Sequence, residues 1–359
     1  MSIISSLTPT QISALTTKQI EDLTTQDMKA LSNKQIEKLT STQIAAIETQ
    51  DLVILSGKQI SAFKPNEFTY GMTTAQIQAI TAAQATGLTA AQLKDMTSDN
   101  LSNLSTEALS ALSAKQIQGL SSGNIAAFTT AQAAVLSYAQ IAAISTDAVQ
   151  GFETGDLAQI STAAIKGLTA AQLGALNSEQ FSSLQFSSLD SSQVQALSAK
   201  QIQALGTDVI KDLTTDDMKE FSAVQVAALS SAQLGTLTSD KLDALTSDAL
   251  GALSAKQIQG LDAANLSSDT ISALSAKQVA ALTTAQLNAM DSNQIGSIST
   301  SGIASLTAAQ IKGLTGDNIK HLTSDQAAVL SAKQVAGLST DAIQGFETED
   351  LATIGTAAI

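Results

Sequence analysis

The segment Leu112–Gly119, LSAKQIQG, recurs unchanged at Leu253–Gly260, and variants of it follow one another along nearly the whole chain. Numbered 1 to 8, the unit reads Leu, Ser or Thr, two variable residues, Gln (less often Asp, Glu or Asn), Ile, Leu or Val, a variable residue, then Ala or Gly. A period of eight fits neither regular backbone. In one continuous helix eight residues advance about 800°, so each Leu would sit about 80° round from the last and no apolar stripe would form. In a strand, positions 1 and 6 have opposite parity and point to opposite faces.

The unit makes sense as a short helix that restarts every eighth residue. Position 2 is an N-cap residue type, whose oxygen can accept from a free backbone N–H. Gln three residues later gives the spacing of a capping box. Positions 1 and 6 then fall at N′ and N4, the two sites of a hydrophobic staple, and here they are Leu and Ile. The two prolines, Pro9 and Pro65, both occupy position 3, which is N1, where a missing N–H costs nothing. Position 8 is often Gly (Gly119, Gly151, Gly167, Gly260, Gly313), which suits a left-handed helix exit.

One and a half turns of helix cannot stand alone in water. Neighbouring units must share an apolar seam, and self-similarity at a fixed period is the signature of a solenoid. The expected fold is therefore an all-α solenoid with one very short helix per octad. A β-solenoid that uses both strand faces is the competing architecture.

The register predicts one continuous array over residues 1–359. Octads run from Leu7 through Ala62, and Phe63–Gly71 is a nine-residue variant. Further octads fill Met72–Ala175, Phe181–Gly260 and Leu266–Thr353, with five-residue units at 176–180 and 261–265. A shortened unit shifts the phase of the stack, so it should change twist locally or form a small surface irregularity. A longer duplication, offset by 194 residues, relates 128–165 to 322–359. The chain stops at Ile359, inside an octad and without a polar cap. A segment of a longer array, or end-to-end docking of copies, is the expectation.

Composition excludes several roles. The net charge of −14 opposes nucleic acid or an anionic membrane surface as partner. With no Cys there are no disulfides or thiolate metal sites. No run of about 18 apolar residues exists, so no transmembrane helix is expected. Met1–Leu7 has neither the basic region nor the long apolar core of a signal peptide.

Chemistry is sparse. His321, the single histidine, falls at position 8, a helix C-terminus, where a partial positive charge is favourable. Acids gather at positions 4 and 5 (Asp99, Asp216, Asp217, Asp248, Asp325), the first helical turn. Lys falls at positions 4 and 7, away from the seam. No P-loop, nucleophile elbow, zinc-protease or EF-hand pattern is present. No cofactor and no metal are expected, and the reading is non-catalytic. The most aromatic stretch holds Phe63, Pro65, Phe68 and Tyr70, the one candidate interaction patch.

Octads such as Leu168-Thr-Ala-Ala-Gln-Leu-Gly-Ala175 and Phe128-Thr-Thr-Ala-Gln-Ala-Ala-Val135 resemble the L-[ST]-x-x-Q-[ILV]-x-[AG] arrays of large bacterial repeat proteins of the adhesin-like, exoprotein type. That resemblance covers nearly the whole chain. It implies an extracellular or cell-surface setting, with the cytoplasm as the alternative. Near-identical units, the uncapped end and the sparse chemistry lead to the first expectation, a structural role as a spacer or filament segment in adhesion, biofilm matrix or sheath, with self-association as homopolymer or end-to-end stack. The second expectation is a binding module for a peptide or glycan.

Overall fold

The structure, a computed structural model, describes residues 3–355. They form 42 α-helices of four to seven residues and three pieces of 3-10 helix, and no strand occurs among the described residues. The β-solenoid alternative is thereby excluded. The terminal Ile359, at which the sequence stops without a cap, lies outside the described residues.

The caps are those the sequence predicts. Ser113 caps the helix Ala114–Ile117 with an extended backbone (φ −72°, ψ 157°), and its hydroxyl accepts from the Gln116 N–H. Gln116 Oε1 in turn accepts from the Ser113 N–H at 2.8 Å. Pro9 and Pro65 each begin a helix. The chain leaves each helix through a right-handed or an extended residue, never a left-handed one. Among the described residues no φ is positive, glycines included. The left-handed glycine exit read from position 8 is therefore wrong. At some of these positions glycine serves close approach instead. A Cβ on Gly151 would overlap the carbonyl of Ser122, and one on Gly87 would overlap Gly57.

The chain divides into two compact units, Met1–Gln193 and Val194–Ile359. Each is an α-solenoid in which a helix packs on the third helix after it. Ser41–Ala45 rests on Pro65–Gly71 in the first unit, and Ala223–Ala228 on Ser247–Gly251 in the second. Positions 1 and 6 build the core, as in Leu112 and Ile117 or Leu253 and Ile258, all buried. Phe63, Phe128, Phe152, Phe221 and Phe346 replace Leu within it and are buried too. Lys18, Lys58, Lys115 and Lys256 lie on the solvated face.

The first short unit lies eight residues later than its predicted place. Asn177 caps a full helix, Ser178–Ser182, with Gln180 at N3 and Phe181 buried at position 6. The truncated unit is Leu184–Ser188, whose last three residues form 3-10 helix. The second short unit, Leu261–Asn265, is where the sequence places it, and it too ends in three residues of 3-10 helix. Asn at position 2 caps as well as Ser or Thr, which is why a Ser/Thr-based register slipped at Asn177.

Candidate functional site

The feature common to both units is a ladder of glutamine side chains. Capping uses only the oxygen of each position-5 amide. At buried glutamines such as Gln92, Gln116 and Gln225 its nitrogen points inward and donates to two main-chain carbonyls of an earlier coil. Gln92 Nε2 lies 2.8 Å from Ile60 O and 3.0 Å from Phe63 O. Gln116 meets Ala85 O and Leu88 O, both at 2.8 Å. Gln225 meets Val194 O at 2.7 Å and Leu197 O at 3.0 Å. These amides are buried, Gln92 completely. The acceptors are the carbonyl of position 6 and that of the following position 1.

Each rung usually spans 31 and 28 residues, as at Gln116 and Gln140. A coil thus takes between three and four octads. Across the short units the spans drop to 28 and 25, at Gln193 and again at Gln278 and Gln286. The shortfall of three residues equals the difference between an octad and a five-residue unit. The same pair of carbonyls is still met. A short unit therefore takes the place of an octad in the coil, and the ladder keeps its register through it.

Asparagine can serve as a weaker rung. Asn318 Nδ2 stands 3.4 Å from Leu287 O. Alanine at position 5, as in Ala108, Ala148 and Ala249, leaves a gap.

Acids at this position behave in two ways. Asp27 and Asp217 follow a Thr cap and close ordinary capping boxes with Thr24 and Thr214. Asp51, Asp156 and Asp350 instead follow a Glu at position 2, in the pattern Glu-Thr-x-Asp-Leu. Glu48, Glu153 and Glu347 make no side-chain cap. The three aspartates are buried, and Asp51 Oδ1 and Asp156 Oδ2 have no hydrogen-bond partner. Burial pushes the Asp51 carboxyl above the usual carboxylate range, and the nearby Glu48 charge adds to this. Burial does the same at Asp156, opposed by the hydroxyl of Thr130 and helped by Glu153.

The aromatic stretch does not form a surface patch. Phe63 and Phe68 are core residues with ring centroids 6.1 Å apart. Pro65 is half-buried at N1, and only Tyr70, at 73% exposure, faces solvent freely. The ninth residue of this unit lengthens its helix to Pro65–Gly71. Glu67, which cannot donate, accepts from the Ser41 N–H instead. His321 is the C-cap of Gly316–Lys320, as its position predicts. Among the described residues no three His, Asp or Glu side chains gather into a metal centre, and no helix is long and apolar enough to cross a membrane.

Fold and ladder together define an α-helical repeat protein. The model of the ALTTAQ repeat matches the chain at four stretches, residues 95–130, 149–186, 210–247 and 287–324. No curated protein matches it. Among solved structures, the leucine-rich repeat-containing protein LegL7 from Legionella pneumophila is similar at 12% identity and a TM-score of 0.18, over 59% of this chain and 78% of that one. A score that low leaves the architecture to be read from the chain itself.

Proposed function

We propose that the protein is a non-catalytic structural element, a spacer or filament segment of an extracellular or cell-surface assembly, whose copies associate through the same ladder that holds each coil. The observation that carries this reading is the pair Gln11 and Gln19. Both close capping boxes with their oxygens, as glutamines such as Gln92 and Gln116 do. Their amide nitrogens are exposed and meet no acceptor among the described residues. Such a face is complementary to the position-6 and position-1 carbonyls of a further coil. Docking one kind of face on a different kind is a heterologous contact, which builds an open filament wherever the rotation between copies does not close into a ring.

Negative-stain microscopy and sedimentation of the full chain test this directly. Rods or fibres that shorten in Gln11→Glu/Gln19→Glu are expected, since a carboxylate cannot donate. Strictly monomeric protein at high concentration would overturn the proposal. A second reading, a module that binds a peptide or glycan, draws on the exposed ring of Tyr70. It requires that Tyr70→Ala abolish partner capture while leaving assembly intact.

A further inference from the structure

We propose that the Glu-Thr-x-Asp-Leu units are cation sites, in which a hard divalent cation of the calcium type replaces the amide of a glutamine rung. The register sets the surroundings of these aspartates. A rung meets the carbonyls 31 and 28 residues earlier, which for Asp51 are those of Ile20 and Leu23, and for Asp156 those of Ile125 and Phe128. At an ordinary rung the NH2 group supplies two donors to that point. A carboxylate supplies none, and it brings a third set of lone pairs to a place where two carbonyl oxygens already converge. A buried charge so placed is costly unless something positive stands between the oxygens.

Three further observations fit a cation there. Asp51 and Asp156 are 4% and 3% exposed, and each has one oxygen without a partner. The second residue of the pattern changes with the first. Wherever Thr is kept at position 2, as beside Asp27 and Asp217, the aspartate is absorbed by the cap. Where Glu stands there, no cap forms and a second carboxylate is left beside the first. Finally, Asp is one methylene shorter than Gln. The gap suits an ion whose bonds to oxygen are about 2.3–2.6 Å long. On the earlier coil the Ser324 hydroxyl donates to Asp350 Oδ1 at 2.8 Å, and the Thr130 hydroxyl favours the charged form of Asp156.

The ligand set is one carboxylate, two main-chain carbonyls, a neighbouring Glu and water. Calcium accepts such an irregular oxygen shell, whereas magnesium demands a near-octahedral one. With few charged ligands the affinity falls in the weak, roughly millimolar class.

The test is thermal unfolding and calorimetric titration of the full chain, first stripped with chelator, then given CaCl2, with MgCl2 at equal ionic strength alongside. The variant is Asp51→Asn/Asp156→Asn/Asp350→Asn, whose fold the asparagine rung at Asn318 already accommodates, as circular dichroism will verify. The expected result is a saturable rise in Tm with calcium that the variant lacks. An equal rise with magnesium, an equal rise in the folded variant, or no saturable response in the wild-type chain would overturn the proposal. Assembly is not read in this experiment, so its outcome is independent of the filament reading.

Discussion

Gln92 Nε2 sits 2.8 Å from the carbonyl oxygen of Ile60, a residue 32 positions earlier in the chain. This bond and its repeats join coils that the sequence keeps far apart. Replacing the amide by a carboxylate keeps the capping oxygen but turns the donor into an acceptor. Gln92→Glu should cost at least about 1–3 kcal/mol, the penalty of an unsatisfied buried polar group. Gln11→Glu, on an exposed rung with no carbonyl to meet, should stay within about 0.5 kcal/mol in the monomeric chain. Urea unfolding of the two variants, with hydrogen exchange at Leu88 and Phe63, measures the contrast. Equal effects would mean that the ladder contributes nothing beyond capping.

At Gly151 glycine is a packing requirement. Gly151→Ala puts a methyl group into the Ser122 carbonyl and should destabilise by about 1–3 kcal/mol, the usual range for overpacking. Gly174, inside the helix Ala170–Ala175, has open space around it. Gly174→Ala should stabilise by up to about 1 kcal/mol through helix propensity. Tm values of both variants decide the point, and a stabilising Gly151→Ala would contradict the close approach.

The buried acids make stability depend on pH with an unusual sign. Burial raises the carboxyl pKa of Asp51 and Asp156 in the folded chain, with Glu48 and Glu153 adding to it and Thr130 opposing it at Asp156. The folded state therefore binds these protons more tightly than the unfolded one. Their favourable contribution is complete below the ordinary carboxylate value and is lost as pH rises through the raised folded value. In calcium-free buffer, lowering the pH from neutral into the ordinary carboxylate range should raise the Tm of the wild-type chain relative to Asp51→Asn/Asp156→Asn. Asp190 works the other way, since the Ser192 hydroxyl and then the Gln193 N–H hold its carboxyl low, but it is common to both proteins and cancels. A flat difference curve would show that these carboxyls are not desolvated.

Ile117 is fully buried at position 6 and lies between coils. Ile117→Asp should lose more than about 3 kcal/mol, because an unpaired charge replaces an apolar core side chain. The helices packed on its own, Ala90–Asp95 and Tyr138–Ala143, should lose exchange protection together with it. Opening confined to the single octad Leu112–Gly119 would contradict the shared seam.

Much of this was legible in the residues themselves. Ser113 with Gln116, and Leu112 with Ile117, announce a cap and a staple, because both act within one turn of backbone. Local physics of that range is written in spacing. The burial of Gln116 was also signalled, though indirectly. A capping box accepts Glu as readily as Gln, yet this acidic chain places Gln at more than half of its position-5 sites and Glu only at Glu67, and only an amide can donate. The aromatic stretch misled for the opposite reason. Phe63, Phe68 and Tyr70 are chemically alike, and only the path of the helix Pro65–Gly71 separates two core rings from one exposed ring.

The sequence by itself determined that the helices are short, where nearly all of them begin, and which two residues of each face inward, since hydroxyl, amide and apolar side chains act on backbone groups three to five residues away. The tertiary structure alone decided which coil each amide reaches, why Gly151 must be glycine, and how a five-residue unit can stand in for eight. Those depend on distances between segments 25 to 32 residues apart, and no local preference encodes where a coil returns upon itself.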